Sequence, residues 1–207
     1  SDPAGLAITD EADEMMANVK GQGDPVGLID ARGDTYDDFV HAIVSTPSRG
    51  MKEMKRDPVS GLDFWEVQKS DDIDSAIWNL WQSGTRYHWT WRCPHCRERF
   101  VPNFSCLKWD GQEDDSATPA QARATAVLIC PTGNGCVIEE KHKAEMNATG
   151  RYVAPGQTVT DDDVVVGDPP DSETASFWVS GLCTPFRSIG DRAARYVEAI
   201  HLGDPGK

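Results

Sequence analysis

Two adjacent acids, Asp10 and Glu11, directly follow a short apolar run over residues 5–9. When such a run is a buried strand of a parallel sheet, its last residues lie at the edge where nucleotides bind. In the Walker B arrangement the first acid holds Mg²⁺ through water, and the second orients the water that attacks the γ-phosphate of ATP. The pattern therefore predicts catalytic roles for Asp10 and Glu11. The structural alternative is an acidic helix start after a strand.

Hydroxyl side chains end the next apolar run. Ser45 and Thr46 follow residues 39–44, and Pro47 closes the segment. In nucleotide-driven motors a hydroxyl at the end of the strand beside Walker B senses the γ-phosphate and transmits its loss to the part that grips DNA. The sequence therefore predicts a coupling motif at Ser45 and Thr46. The alternative is an ordinary exit from a strand into a proline-containing turn.

A βαβ unit is predicted to position these residues. Residues 5–9 and 39–44 are the strands, and a helix capped by Asp24 begins at Pro25 and runs to about Arg32. Strand, helix and strand in this order give a parallel sheet. No Gly-x-x-x-x-Gly-Lys-Ser/Thr loop occurs in the sequence. Because that loop normally precedes Walker B, we expect the chain to be a piece of a longer ATPase and to be inactive by itself.

The cysteine spacing predicts a metal site. The chain has six cysteines and no secretory leader, so its thiols are expected to be reduced or metal-bound. Cys93 and Cys96 have the spacing and the intervening proline of a zinc knuckle, whereas Cys130 and Cys136 are more widely spaced. A strand leads into each pair, as in a zinc ribbon, and four thiolates would give Zn²⁺ a closed structural site. The alternative is a ribbon held by packing alone.

The charge distribution predicts one nucleic-acid contact. The chain has 20 Lys+Arg against 34 Asp+Glu, a net charge of −14, but the stretch 86–108 is basic and rich in aromatic residues. Its basic residues are Arg86, Arg92, Arg97, Arg99 and Lys108, and its one acid is Glu98. Such a stretch can contact the phosphate backbone of a nucleic acid, and the candidate contact residues are Arg92, Arg97, Arg99 and Lys108. The alternative is that the arginines pair with acids of the same chain.

Further elements are predicted from periodicity and end signals. One helix is predicted over residues 71–80, with Ile73, Ile77 and Leu80 on one face, and another over residues 188–202. Strands are predicted over residues 87–91, 126–129 and 175–179. Acidic solvent loops are predicted over residues 110–119 and 160–172. Ser188 and Asp191 resemble a capping box at the start of the last helix. Cys106 and Cys183 are expected to be buried, and His95 and His142 are reserve metal ligands.

In order along the chain, the motifs are Asp10-Glu11, Ser45-Thr46-Pro47, Cys93-Pro94-His95-Cys96, Leu107-Lys108-Trp109, Cys130 with Cys136, and Ser176-Phe177-Trp178-Val179-Ser180-Gly181-Leu182. This order resembles the large terminase subunit of tailed phages, of the GpA type. The resemblance implies an α/β fold: part of a P-loop NTPase parallel sheet with an inserted zinc-ribbon-like β subdomain. It implies an ATPase core over 1–85, a zinc-ribbon-like subdomain over 86–145, and a returning strand and linker helix over 146–207.

The resemblance also implies an activity and partners. The family pumps double-stranded DNA into a procapsid with ATP and Mg²⁺, and a nuclease domain, expected beyond Lys207, cuts the DNA. Its partners would be the terminase small subunit, the portal protein and further copies of the chain on the procapsid. The expected location is the host cytoplasm, without a membrane. The cofactors would be ATP, Mg²⁺ and a structural Zn²⁺.

Two other functions are compatible with the motifs. Asp10-Glu11-Ala12-Asp13 also matches a helicase box, although an arginine-rich second motor domain does not follow in the sequence. A non-enzymatic zinc-ribbon module that binds nucleic acid is the other candidate. A Walker A loop upstream in the parent protein would distinguish an enzyme from a module.

Overall fold

A computed structural model describes residues 5–15, 25–33, 36–47, 53–69, 73 and 75–202. The strands are β1 (Leu6–Asp10), β2 (Val40–Val44), β3 (Met54–Arg56), β4 (Asp63–Trp65), β5 (Tyr87–Arg92), β6 (Arg99–Phe100), β7 (Leu107–Lys108), β8 (Val127–Ile129), β9 (Val137–Ile138), β10 (Arg151–Val153), β11 (Thr158–Val159), β12 (Val165–Val166) and β13 (Phe177–Trp178). The α-helices are α1 (Pro25–Gly33), α2 (Ala76–Ser83), α3 (Pro119–Thr125), α4 (Lys143–Ala148) and α5 (Ile189–His201).

The chain divides into two compact units. The first comprises Ser1–Glu53 and Trp65–Ser83, and the second comprises Met54–Phe64 and Gly84–Lys207. Both contain helices and small sheets, so the mixed α/β class is confirmed. The P-loop sheet and the zinc ribbon stay predictions, as do the three domain boundaries. The segments predicted over 86–145 and 146–207 contribute strands to one sheet of the second unit.

The first unit contains the predicted strand–helix–strand segment. β1 and β2 pair in parallel, with Thr9 opposite Ile43 and Asp10 opposite Val44. Helix α1 lies between them in the chain and begins at Pro25, as its sequence predicts. Parallel pairing places the carboxyl ends of both strands at one edge. The Asp10-Glu11 and Ser45-Thr46 motifs therefore lie beside each other.

Helix α2 differs from its prediction. It begins at Ala76 rather than at residue 71; residues 71, 72 and 74 lie outside the described part of the chain. Of the predicted apolar face, Ile73 precedes the helix and is buried, and Ile77 and Leu80 are half-buried. The buried side chains of α2 itself are Trp78 and Trp81, whose rings stack at 4.4 Å between centroids. Two indoles bury more apolar area than the aliphatic residues.

The second unit is organised around β5. This strand pairs with β10 antiparallel, with β13 in parallel and, at its carboxyl end, with β6 antiparallel. A separate sheet has the order β7-β8-β9. Its core side chains Leu107, Leu128 and Ile138 pack with Trp91 of β5 in one cluster. The predicted strands in β5, β8 and β13 are confirmed.

Helix α5 begins as its cap predicts. The Ser188 hydroxyl accepts the backbone N–H of Asp191 at 2.9 Å. Such a cap satisfies one of the amides that a helix start leaves without a backbone partner. Cys106 and Cys183 are buried, as expected.

Two elements were missed where acidic loops were expected. Helix α3 lies partly within the first loop; Thr118 caps it and exchanges hydrogen bonds with Gln121 in a complete capping box. The hairpin of β11 and β12 lies within the second loop. Among the helices of the described ranges, none has the length and apolar content needed to span a bilayer.

Candidate functional site

The end of β1 presents two carboxylates to solvent. Asp10 and Glu11 are both exposed, and the Glu11 N–H donates to Oδ1 of Asp10 at 2.9 Å. Glu11 has φ 54° and ψ 44°, a left-handed conformation that is strained for a residue with a side chain. Strained backbone of this kind concentrates at functional sites. The exposed Asp10 carboxylate offers the oxygen ligands that Mg²⁺ prefers.

Thr9, the residue before the Asp10-Glu11 pair, has polar partners. Its side chain is buried, with 3% of the residue exposed, and its Oγ1 lies 2.8 Å from Nε2 of His41 on β2. Nδ1 of His41 lies 2.7 Å from Oδ1 of Asp30 on α1. The network satisfies the buried hydroxyl. It also ties the strand before Asp10 to both neighbouring elements.

The acidic motif and the hydroxyl motif are connected through Asp13. The backbone N–H of Asp13, in the 3-10 turn after Glu11, donates to the Ser45 hydroxyl at 3.1 Å. The Asp13 carboxylate accepts the Ser75 hydroxyl at 2.6 Å and the Ile77 N–H at 2.8 Å. Asp13 therefore holds the start of α2, where a negative charge is favourable. Thr46 of the predicted motif is exposed.

Both cysteine pairs lie in turns between paired strands. Cys93 and Cys96 lie between β5 and β6, and Cys130 and Cys136 lie between β8 and β9. The Cys93 N–H donates to the Glu98 carbonyl at 2.8 Å, and the Cys130 N–H donates to the Cys136 carbonyl at 3.0 Å. These backbone bonds close each turn.

Three of the four predicted metal ligands come together. The sulfurs of Cys93, Cys96 and Cys130 all lie within 4.8 Å of one another, and those of Cys96 and Cys130 are 3.9 Å apart. A tetrahedral site with Zn–S bonds of about 2.3 Å needs sulfurs about 3.8 Å apart, so this spacing fits zinc. Cys136 is outside the three-thiol cluster. The pKa of Cys136 is raised, mainly by partial burial and to a smaller extent by interactions with the thiols of Cys96 and Cys93.

The thiols of this cluster differ in their protonation. Burial raises the pKa of Cys130 to about 12. Partial burial also acts to raise the pKa of Cys96, but hydrogen bonds from the Glu98 backbone and from Thr132 outweigh it, and the pKa falls to about 6. The lowered pKa of Cys96 favours the thiolate, the form of cysteine that binds a metal. The reserve ligands His95 and His142 lie with their ring centroids 5.2 Å apart.

The four predicted DNA-binding residues divide into two groups. Arg97 and Lys108 are exposed. Arg92 and Arg99 lie against Asp163, their Nη2 atoms 3.2 Å and 2.5 Å from its Oδ1. The exposed fraction of the Arg99 side chain is only 8%. Arg92 and Arg99 therefore follow the alternative prediction, in which arginines pair with acids of the same chain. Of the four residues, Arg97 and Lys108 are the exposed ones that a ligand can reach.

Sequence reasoning missed the roles of three residues. Asp13 had no predicted role beyond its place in the Asp-Glu-Ala-Asp motif, because its hydrogen-bond partner Ser75 is 62 residues away. His41 carried no signal apart from its place in a predicted strand. Asp163 belonged to a segment taken as a solvent loop. Each role depends on contacts between distant parts of the chain.

Comparison with known families places most of the chain within one family model. A family model described as phage terminase large subunit gpA, ATPase domain, matches residues 1–152. This range contains both predicted motifs at the strand ends and all four predicted metal ligands. Comparisons with curated proteins and with solved structures returned no significant match.

Proposed function

Because this chain belongs to the ATPase-domain family of the phage terminase large subunit gpA, we propose that it is part of the ATP-driven motor that moves phage DNA into a procapsid. The family supports a DNA-packaging ATPase. In the complete protein, Asp10 and Glu11 would act on ATP with Mg²⁺, and Ser45 and Thr46 would couple hydrolysis to movement. The same protein would carry the nuclease that cuts the packaged DNA.

One observation carries the assignment of the site. The strained Glu11 and the Ser45 hydroxyl lie at the ends of paired parallel strands, and Asp13 connects their segments by a hydrogen bond of 3.1 Å. Asp10 would hold Mg²⁺ through water, and the ion would neutralise charge on the phosphates. The Glu11 carboxylate would orient the attacking water. A shift of the turn at residues 12–14 would then reach both Ser45 and α2 without any intermediate element.

The experiment compares two acids of the same segment in the complete terminase subunit. Glu11→Gln should lower kcat for ATP hydrolysis by roughly 100-fold or more, because the water loses its orienting base. Glu14→Gln, which changes an exposed acid of the same turn, should leave kcat within about twofold. Equal effects of the two substitutions would contradict the assignment.

The chain as given should not hydrolyse ATP above background, because its sequence has no phosphate-cradling loop. Hydrolysis that DNA stimulates and Glu11→Gln abolishes would overturn this expectation. The family match favours the packaging motor over the helicase. A zinc module without enzymatic activity would be the better description if the complete protein also fails to hydrolyse ATP.

We also propose a structural role for the cysteines. Zn²⁺ would bind Cys93, Cys96 and Cys130, with Cys136 as the fourth ligand. A bound ion would supply a fixed link between the turn after β5 and the turn after β8. The 3.9 Å spacing of the Cys96 and Cys130 sulfurs supports this geometry.

The exposed residues Arg97 and Lys108 would contact the DNA backbone, and the partners would be double-stranded phage DNA, the terminase small subunit and the portal protein. On the procapsid, in the host cytoplasm, the subunit would act as a homo-oligomer. Arg97→Ala should lower the slope of the logarithm of DNA affinity against the logarithm of salt concentration by about 1. A change in affinity that depends on DNA sequence would contradict a backbone contact.

A further inference from the structure

We propose that Arg92, Arg99 and Arg151 form a binding site for a phosphate group and that the side chain of Asp163 fills this site in the absence of a ligand. The ligand we infer is a phosphodiester of the DNA backbone. In that respect the inference rests on the proposed function and adds a second, covered contact to the exposed Arg97 and Lys108.

The sheet brings these arginines together. Arg92 on β5 is directly opposite Arg99 on β6 in the antiparallel register, and like charges in that position destabilise a sheet. Arg151 begins β10, which also pairs with β5, and its partner in register is Thr90, two positions before Arg92. Three strands therefore direct guanidinium groups to one place.

The positive charge of this cluster exceeds the negative charge that balances it. Asp163 is the acid that ion-pairs with Arg92 and Arg99, and Arg151 reaches only its carbonyl oxygen, at 3.0 Å from Nε. Burial lowers the pKa of Arg99, and repulsion from Arg92 and Arg151 acts in the same direction against the attraction of Asp163. Three cations facing one carboxylate leave an excess of about two charges.

Donor capacity is also left over. Nε of Arg92 and Nε of Arg99 are buried and have no hydrogen-bond partner among the described residues. Oδ1 of Asp163 is the carboxylate oxygen that both guanidiniums contact, and Nη1 of Arg99 also donates to the Thr90 hydroxyl at 3.1 Å. A phosphate group has more acceptor oxygens and is the ligand for which paired arginines are suited. Unpaired buried donors are unfavourable, so a ligand that satisfies them gains affinity.

Asp163 is placed as a displaceable occupant. It lies between β11 and β12, which pair through Thr158 with Val166 and Val159 with Val165, and backbone bonds from Thr160 to Val164 and from Asp163 to Thr160 close the turn. Its φ of 62° is left-handed, a conformation that aspartate adopts more readily than most residues with a side chain. Asp161 and Asp162 beside it are exposed. Rotation of the Asp163 side chain, in a turn whose backbone stays closed, is enough to free the arginines when a phosphate competes for them.

The test compares two isosteric substitutions in the same turn. Asp163→Asn removes the occupant, and Asp162→Asn makes the same change of net charge at an exposed position. Binding to a duplex of random sequence is measured by fluorescence anisotropy between low and moderate salt. Asp163→Asn should raise affinity by roughly tenfold at low salt and increase the salt slope by about 1 to 2, whereas Asp162→Asn should have a small effect. Equal effects of the two substitutions would overturn the proposal.

A second measurement uses the unaltered chain, in case Asp163→Asn does not fold. NMR signals of the Nε–H groups of Arg92 and Arg99 should shift when duplex DNA is added at low salt. If they stay unchanged while the chain binds DNA, the proposal is wrong. Inorganic phosphate is the other arm: signals that respond to it but not to duplex DNA would overturn the DNA assignment. The Glu11→Gln comparison tests the ATPase proposal independently, so failure of one can be distinguished from failure of the other.

Discussion

The backbone amide of Asp13 donates a hydrogen bond of 3.1 Å to the Ser45 hydroxyl. This bond joins the turn after the acidic pair to the end of the neighbouring strand. The Asp13 carboxylate holds the first turn of α2 through the Ile77 N–H. A change in either strand end therefore acts on the same residue.

Ser45→Ala should loosen this turn. The substitution removes the hydroxyl that accepts the Asp13 N–H, which should lower the local stability of the turn by about 1 kcal/mol. The amide should exchange with solvent several-fold faster in hydrogen–deuterium exchange. Thr46→Ala, at an exposed position, is the control and should leave exchange unchanged. Equal exchange in both variants would show that the bond does not stabilise the turn.

Cys96→Ser should abolish stoichiometric zinc binding and lower the melting temperature. A structural zinc site contributes on the order of 10 kcal/mol to folding, and replacement of one thiolate removes much of that energy. Cys106→Ala is the control, since Cys106 is buried outside the thiol cluster. Elemental analysis should find about one zinc per chain in the unaltered protein and in the control. No zinc in the unaltered chain would refute the site.

Arg97→Gly should stabilise the second unit while weakening DNA binding. Arg97 has φ 68°, a left-handed conformation that glycine adopts without strain. This gain is larger than the entropic cost of the more flexible unfolded chain, so the free energy of unfolding should rise by about 0.5 kcal/mol. Chemical denaturation measures the gain. Glu98→Gly, at the next position, should instead destabilise. Arg97→Ala separates the two effects, because it removes the same charge without relieving the strain.

His88 should make stability fall as the pH is lowered. Its ring lies 4.7 Å between centroids from Phe64, is fully buried, and donates from Nδ1 to the Arg86 carbonyl at 2.9 Å. Burial lowers its pKa to about 3. Below the unfolded-state pKa of about 6.5, the unfolded chain binds a proton that the folded chain does not. Stability is therefore lost between about pH 6.5 and pH 3, by up to about 1.4 kcal/mol per pH unit.

Urea unfolding at about pH 7 and about pH 5.5 tests this effect in a Cys96→Ser background. The carboxylates titrate mainly below that window, whereas the Cys96 thiol, with its pKa of about 6, titrates within it. His88→Phe should remove most of the difference in unfolding free energy between the two conditions. If the substituted chain keeps the same pH dependence as the unaltered one, other groups are responsible.

Features that depend on neighbouring residues could be predicted from the sequence. The strand before Asp10, the proline start of α1 and the Ser188 cap are encoded within a few residues. The turn that brings the thiols of Cys93 and Cys96 close together is encoded in the same local way, whereas zinc binding there stays a prediction. The capping box of Thr118 and Gln121 was equally local, and it was missed because the acidic residues before it dominated the segment.

Features that depend on distant residues could not be predicted. The contact between Arg99 and Asp163 spans 64 positions, and nothing near Arg99 in the sequence indicates it. The burial of Trp78 in α2 follows from packing, which the periodicity of so short a helix does not determine. The register between β5 and β6 likewise places Arg92 opposite Arg99, and this register cannot be deduced from either strand alone.

The position of β5 has a consequence for protein production and for synthesis on the ribosome. The family match ends at residue 152, inside β10 (Arg151–Val153). A chain cut there would leave one edge of β5 without β13 and the other with a shortened partner, and open edges promote self-association. The Arg86 amide bonds the Ser176 hydroxyl across 90 positions. During synthesis, β5 therefore stays without its β13 partner until the segment that contains Ser176 leaves the ribosome. The folding unit extends beyond residue 152, where the family match ends.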